Sequence, residues 1–149
     1  MRKELLLLWG FLVILCFRDV YGGCFSALGM ESVQGKVKIK DEQITASSSR
    51  TRASRPASAR LEGRGGWCPK ESDHSPYIQI DLLTPHTITE LVTQGALCNY
   101  VEYFRLAFSY DNLTWFNYAV NGKVKVFRGN RNSFMPKSNN LTEPLTARL

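Results

Sequence analysis

Apolar residues in this chain come in short alternating or β-branched runs, and no segment sustains a helical period. Lys36-Val37-Lys38-Ile39-Lys40 alternates strictly, as a half-buried strand does, and Tyr77-Ile78-Gln79-Ile80-Asp81-Leu82 repeats the pattern. Thr87 to Thr93 is β-branched and stops at Gly95. Tyr103 to Tyr110 alternates into the turn pair Asp111-Asn112, and Trp115-Phe116-Asn117-Tyr118 returns to close a hairpin. Asn121-Gly122 is the strongest short turn signal, followed by Val124-Lys125-Val126-Phe127 and then Gly129-Asn130. Many short strands with turn residues between them predict an all-β sandwich or barrel.

With 149 residues, 44% hydrophobic and 21% charged, the chain is neither disordered, collagenous nor a multi-span membrane protein. Its length suits one domain. Nineteen basic against thirteen acidic side chains give a formal charge of +6, which favours acidic partners. His74 and His86 are the only histidines, so chemistry needing several imidazoles is excluded.

The first 22 residues read as a secretory signal peptide: Arg2 and Lys3, an apolar run from Leu5 to Phe17 broken only by Gly10, then Val20 and Gly22 at the −3 and −1 positions of a cleavage site. The run falls short of the roughly 20 residues a bilayer core requires. A signal-anchor is the competing reading. The expected mature protein spans 23–149 and is secreted, extracellular and without nucleic-acid partners. It would keep Cys24, Cys68 and Cys98, an odd number in a disulfide-forming compartment. A free thiol, an interchain bond, a partner outside the present sequence and a Cys68–Cys98 bridge all remain open. Asn112-Leu113-Thr114 and Asn140-Leu141-Thr142 are glycosylation sequons, expected on surface loops.

Ser47 to Gly66 breaks the strand rhythm with Arg50, Arg52, Arg55, Arg60 and Arg64 against a single acid, Glu62. It is expected to form one or two long loops, and loops of that length inside compact domains tend to be functional. No nucleophile elbow, phosphate-cradling loop or zinc-protease motif is present. Asp73-His74-Ser75 are sequence neighbours, whereas triad members meet in space, so an exposed polar loop is expected there. Asp81 and Glu90 could ligate calcium in some β-domains, but pairing of such a carboxylate with an arginine is commoner. No enzyme activity, metal or cofactor is expected.

The order of motifs resembles a known family. Cys24-Phe25-Ser26-Ala27-Leu28-Gly29-Met30-Glu31-Ser32, Asp41 to Ser49, Ala59-Arg60-Leu61, Gly66-Trp67 and Tyr77 to Leu82 are similar to the discoidin, or factor V/VIII C-type, domain. Thr93 to Ala96, Phe108 to Asp111 with Trp115, Val126 to Asn130 and Pro144 to Leu149 follow in family order. Trp67-Cys68-Pro69 most resembles the collagen-binding discoidin-domain receptors. The resemblance implies a jelly-roll β-barrel whose loops at one end do the binding, three of them forming spikes. Here these map to Arg50–Ser58, Glu62–Gly66 and Gly95–Glu102.

Arginines replace the bulky apolar residues that lipid-binding members carry at the first spike, which disfavours deep insertion and favours bidentate contacts to sulfate, carboxylate or phosphate. The expected ligand-binding residues are therefore Arg50, Arg52, Arg55 and Arg64, with Leu97 and Tyr100 of the third spike adding apolar contact. Arg60 and Trp67 are assigned to structure. The second basic run, Lys123, Lys125, Arg128, Arg131 and Lys137, reads as a solvated face. The resemblance further implies a last strand pair and closing cysteine after Leu149, so the domain is expected to be truncated, with Cys24 and Cys68 lacking partners and a hydrophobic face exposed. The expected function is a secreted adhesion or matrix module binding an anionic glycan, acidic matrix protein or mineral-associated surface. Anionic phospholipid and collagen are the alternative partners.

Overall fold

A computed structural model of the chain describes residues 13–18, 24–27, 39–61, 63, 65–96 and 100–149, the first two segments as backbone only. The described residues form strands and three single-turn 3-10 helices, with no α-helix among them. The central sheet contains β1 (Val13–Arg18), β2 (Cys24–Ala27), β5 (His86–Thr93) and β12 (Lys137–Ala147), in the order β12-β5-β1-β2. Two-stranded antiparallel pairs surround it: β3 (Ile44–Ala46) with β4 (Ile78–Ile80), β6 (Tyr103–Arg105) with β11 (Val126–Arg128), β7 (Ala107–Ser109) with β8 (Trp115–Asn117), and β9 (Ala119–Val120) with β10 (Lys123–Val124). This is the all-β jelly-roll architecture, with the barrel not closed.

Local chemistry accounts for most of these elements. In the β9–β10 hairpin Asn121 and Gly122 both take positive φ, 52° and 73°, as a two-residue turn matched to the strand twist requires. The alternating run 103–110 is split at Leu106, whose carbonyl accepts the Tyr118 N–H. This sends β6 to β11 and β7 to β8. The 124–127 run splits likewise at Lys125, which donates its N–H to the Tyr118 carbonyl.

The sequence pattern gives no sign of β12. Its Lys-Ser-Asn-Asn-Leu-Thr-Glu-Pro stretch is polar and contains Pro144, which falls where the pairing with β5 slips between Asn140 and Leu145. A proline is tolerated at an outer strand and at such an irregularity. Of the expected Lys36–Lys40 strand, residues 36–38 lie outside the described residues, while Ile39 and Lys40 are not in a strand. β1 falls inside the span read as an export leader, where it pairs with both β5 and β2.

Ile44, Leu61, Trp67, Leu91, Val101, Phe104, Tyr118 and Phe127 lead the buried core. Phe104 and Phe127 are cross-strand partners whose rings stack with centroids 5.1 Å apart, and Tyr118 packs on Phe127 at 5.8 Å. The buried Tyr118 hydroxyl is satisfied twice, donating to the Glu143 carbonyl and accepting the Glu143 N–H. An apolar cavity of about 520 Å³ lies among Ile78, Ile80, Leu91, Leu106, Leu145 and Leu149.

Candidate functional site

The loops converge beyond the C-terminal end of β5. Arg50 donates its N–H to the Cys68 carbonyl, and Cys68 donates back to the Ser54 carbonyl, so the first loop and the Trp67-Cys68 segment are laced together. Trp67 is fully buried and its indole N–H reaches the Ser48 carbonyl at 2.7 Å. It is a packing residue, as expected. Gly66 lies so close to Ala96 that a side chain there would collide with the Ala96 methyl, which joins this segment to the third loop.

Within the first loop Thr51 and Ser54 cap each other. The Thr51 side chain accepts the Ser54 N–H, and the Ser54 side chain accepts the Thr51 N–H. This fixes a 3-10 turn over Arg52–Ser54, with a second at Pro56–Ser58 started by the proline. Among the described residues the loop arginines do not form one cluster. Arg50 pairs with Glu71 at 3.0 Å and Arg55 reaches Asp41 at 3.5 Å, both in exposed settings. Arg52 is exposed at the tip, with no carboxylate partner among the described residues.

Arg60 is structural, as expected. Its side chain is only 11% exposed, and its guanidinium holds the Ile39 carbonyl and Asp41 Oδ1. Arg64, Leu97 and Cys98 lie outside the described residues, as does the side chain of Cys24. Cys68 is a half-buried free thiol, its pKa pushed up by that burial against the opposing charge of Arg50.

Tyr100 is half-buried at the edge of a second feature. It lines a hollow of about 320 Å³ with Glu102, Tyr103, Arg128, Gly129, Asn130, Arg131 and Lys137. Three members of the basic run read as a solvated face thus gather around one opening. Sequence spacing could not reveal this, because Tyr103 and Arg128 become neighbours only through the β6–β11 pairing. The floor is rigid: Gly129 and Asn130 donate their N–H groups to the Glu102 and Val101 carbonyls, each at 2.7 Å. The buried Asn130 side chain donates to the Thr93 and Met135 carbonyls. Asn132 accepts the N–H groups of Phe134 and Met135, and Gln94 donates to the Phe134 carbonyl. Phe134 and Met135 are left 76% and 68% exposed beside the basic hollow.

Asp81 pairs with Arg148, which pulls its carboxyl below the usual range, so this carboxylate takes the arginine-paired role rather than a metal-ligating one. Glu90 accepts the Ser138 hydroxyl. No metal-holding group of three or more His, Cys, Asp or Glu residues exists among the described residues. Asp73 accepts the Ser47 and Ser48 hydroxyls, which lower its pKa, and His74 beside it is exposed. Asn112 sits at positive φ in an exposed turn held by Asp111. The N–H groups of Thr114 and Leu113 pull the Asp111 carboxyl down to about 2. Asn140 is exposed on β12, a strand rather than the expected loop. No helix among the described residues is long and apolar enough to cross a membrane.

The F5/8 type C domain family model matches residues 43–149. Coagulation factor VIII of Homo sapiens is 38% identical over 84% of this chain, and EGF-like repeat and discoidin I-like domain-containing protein 3 of Homo sapiens is 36% identical over 83%. Lactadherin of Rattus norvegicus is 33% identical over 85%. The chain spans 6% of the length of factor VIII, 28% of the second protein and 32% of lactadherin. The family match covers the segments that build β3 through β12, and with them the laced loops at the end of β5: the chain belongs to the F5/8 type C, or discoidin, domain family.

Proposed function

We propose that this chain is a secreted, non-enzymatic recognition module of the extracellular space, acting in adhesion or matrix assembly. It binds an anionic ligand through the arginines of its first loop. The observation that carries this reading is the pinned turn over Arg52–Ser54, which holds an uncompensated Arg52 at its tip between Arg50 and Arg55. A turn already ordered by Thr51, Ser54 and Cys68 loses little entropy when it meets a ligand. The two flanking ion pairs are exposed and therefore weak, so Arg50 and Arg55 exchange Glu71 and Asp41 for a polyanion at small cost. Arg64 and Leu97 belong to the same proposal.

Replacing Arg50, Arg52 and Arg55 together with Ser should leave folding nearly unchanged and sharply reduce retention on a heparin column. Undiminished retention would remove the first loop from the reading. Removal of residues 1–22 and glycosylation at Asn112 and Asn140 are part of the proposal, and intact-mass measurement of secreted protein tests all three.

A second reading, binding to anionic phospholipid, is favoured by the exposed Phe134 and Met135 beside cationic side chains. Liposome sedimentation at two salt concentrations separates the two, since inserted apolar side chains resist salt whereas purely ionic contacts do not. Collagen recognition has less support, because Trp67 of the Trp-Cys-Pro triplet is wholly buried. Saturable binding to triple-helical collagen would reinstate it.

A further inference from the structure

The hollow between the 100–103 and 128–131 segments has a composition that singles out one class of ligand. Arg128, Arg131 and Lys137 stand on its rim with Glu102, Tyr100 and Tyr103. No ion pair among the described residues involves Arg128, Arg131, Lys137 or Glu102. Three cations against one carboxylate make the opening attractive to an anion. Glu102, however, penalises a ligand that is anionic on every side and favours one that also offers hydroxyl donors. The two tyrosines supply aromatic faces, on which the C–H face of a sugar ring packs, and phenolic hydroxyls that donate or accept.

At about 320 Å³ the hollow is at the lower end of the range for small-molecule sites (roughly 300–1,000 Å³). Its floor is preformed. Gly129 approaches the Val101 carbonyl so closely that any side chain would displace it, and both Gly129 and Asn130 are buried and hydrogen-bonded. The backbone from which Arg128 and Arg131 project is therefore set before a ligand arrives.

We infer that this hollow is a subsite for a sulfated or carboxylated sugar unit of an extracellular glycan. Arg128 and Arg131 take the sulfate or carboxylate in bidentate fashion, Lys137 adds charge, Glu102 accepts a ring hydroxyl, and Tyr103 packs on the ring. The inference rests on the anionic-ligand reading above but on different residues, so the two fail separately.

The test is calorimetric titration of the secreted chain with a sulfated heparin-derived disaccharide, its desulfated counterpart and inorganic sulfate. The disaccharide should bind in preference to both others. Arg128→Ser/Arg131→Ser should bind it at least about tenfold more weakly with an unchanged melting temperature, since both residues are exposed. Glu102→Gln should weaken the disaccharide while leaving or improving inorganic sulfate, and the Arg50, Arg52 and Arg55 triple variant should bind the disaccharide as the parent does. Equal affinity for inorganic sulfate and disaccharide, or undiminished disaccharide binding in Arg128→Ser/Arg131→Ser, would overturn the subsite. If heparin retention survives the triple variant while Arg128→Ser/Arg131→Ser loses the disaccharide, the first-loop reading falls and the subsite stands.

Discussion

Asp81 and Arg148, 67 positions apart, meet through two parallel hydrogen bonds of 3.0 Å each, from Nε to Oδ1 and from Nη2 to Oδ2. The same region is tied by the backbone. Leu82 donates to the Arg148 carbonyl, and Ser109 exchanges hydrogen bonds with Leu149. The pair thus clamps the end of the chain across the ends of β4 and β7.

The clamp has a pH signature. The Arg148 hydrogen bond holds the Asp81 carboxyl below its ordinary value, so its contribution is complete above the unfolded carboxylate range of about 4 and is lost as pH falls through the lowered value. Asp81→Asn should lower the urea midpoint at pH 7, and the gap from the parent should shrink below about pH 4. A gap independent of pH would show that the carboxylate charge is not the source.

Trp67 holds the first loop to the core. Trp67→Ala should cost about 3–5 kcal/mol in chemical denaturation, because it leaves a cavity and orphans the Ser48 carbonyl. Trp67→Phe keeps much of the packing and should cost distinctly less. A loss below about 1 kcal/mol for the alanine variant would mean that the site collapses freely.

Two glycines are needed for different reasons. Gly122 occupies positive φ in open space, so Gly122→Ala should cost about 1–2 kcal/mol and Gly122→Asn much less, since Asn tolerates that conformation. Gly129 lacks room, and Gly129→Ala should cost about 1–3 kcal/mol with no relief from Asn. Thermal melts of the four variants check the contrast.

β1 lies in the proposed leader, between β5 and β2. If residues 1–22 are removed on secretion, the Glu90–Thr93 edge of β5 loses its β1 partner. Amide exchange at 90–93 should therefore be faster in secreted material than in a chain produced with residues 1–22 retained. Equal exchange would show that another segment takes the place of β1.

The elements legible in the sequence are those whose signal is local. Alternation marked β4, β-branched residues marked β5, the Phe108–Trp115 hairpin followed from its turn pair, and Asn121-Gly122 specified its own backbone conformation. Arg60 and Trp67 were correctly assigned to structure through the resemblance, and the loop character of the described residues between 47 and 66 followed from composition. β12 was missed because its stability comes from pairing with β5, not from an apolar pattern of its own.

The division between the two sources follows from range. A strand's alternation and a turn's φ requirement depend on neighbouring residues, so the amino-acid order alone determined an all-β chain with an arginine-rich loop. Which side chains share a surface depends on pairings between distant segments, and only those separated Arg50, paired with Glu71, from Arg55, which shares Asp41 with Arg60. Tertiary structure likewise decided that Arg128, Arg131 and Lys137 would face Tyr100 across one hollow, because the β6–β11 ladder and the buried Asn130 bring residues some 30 positions apart into contact.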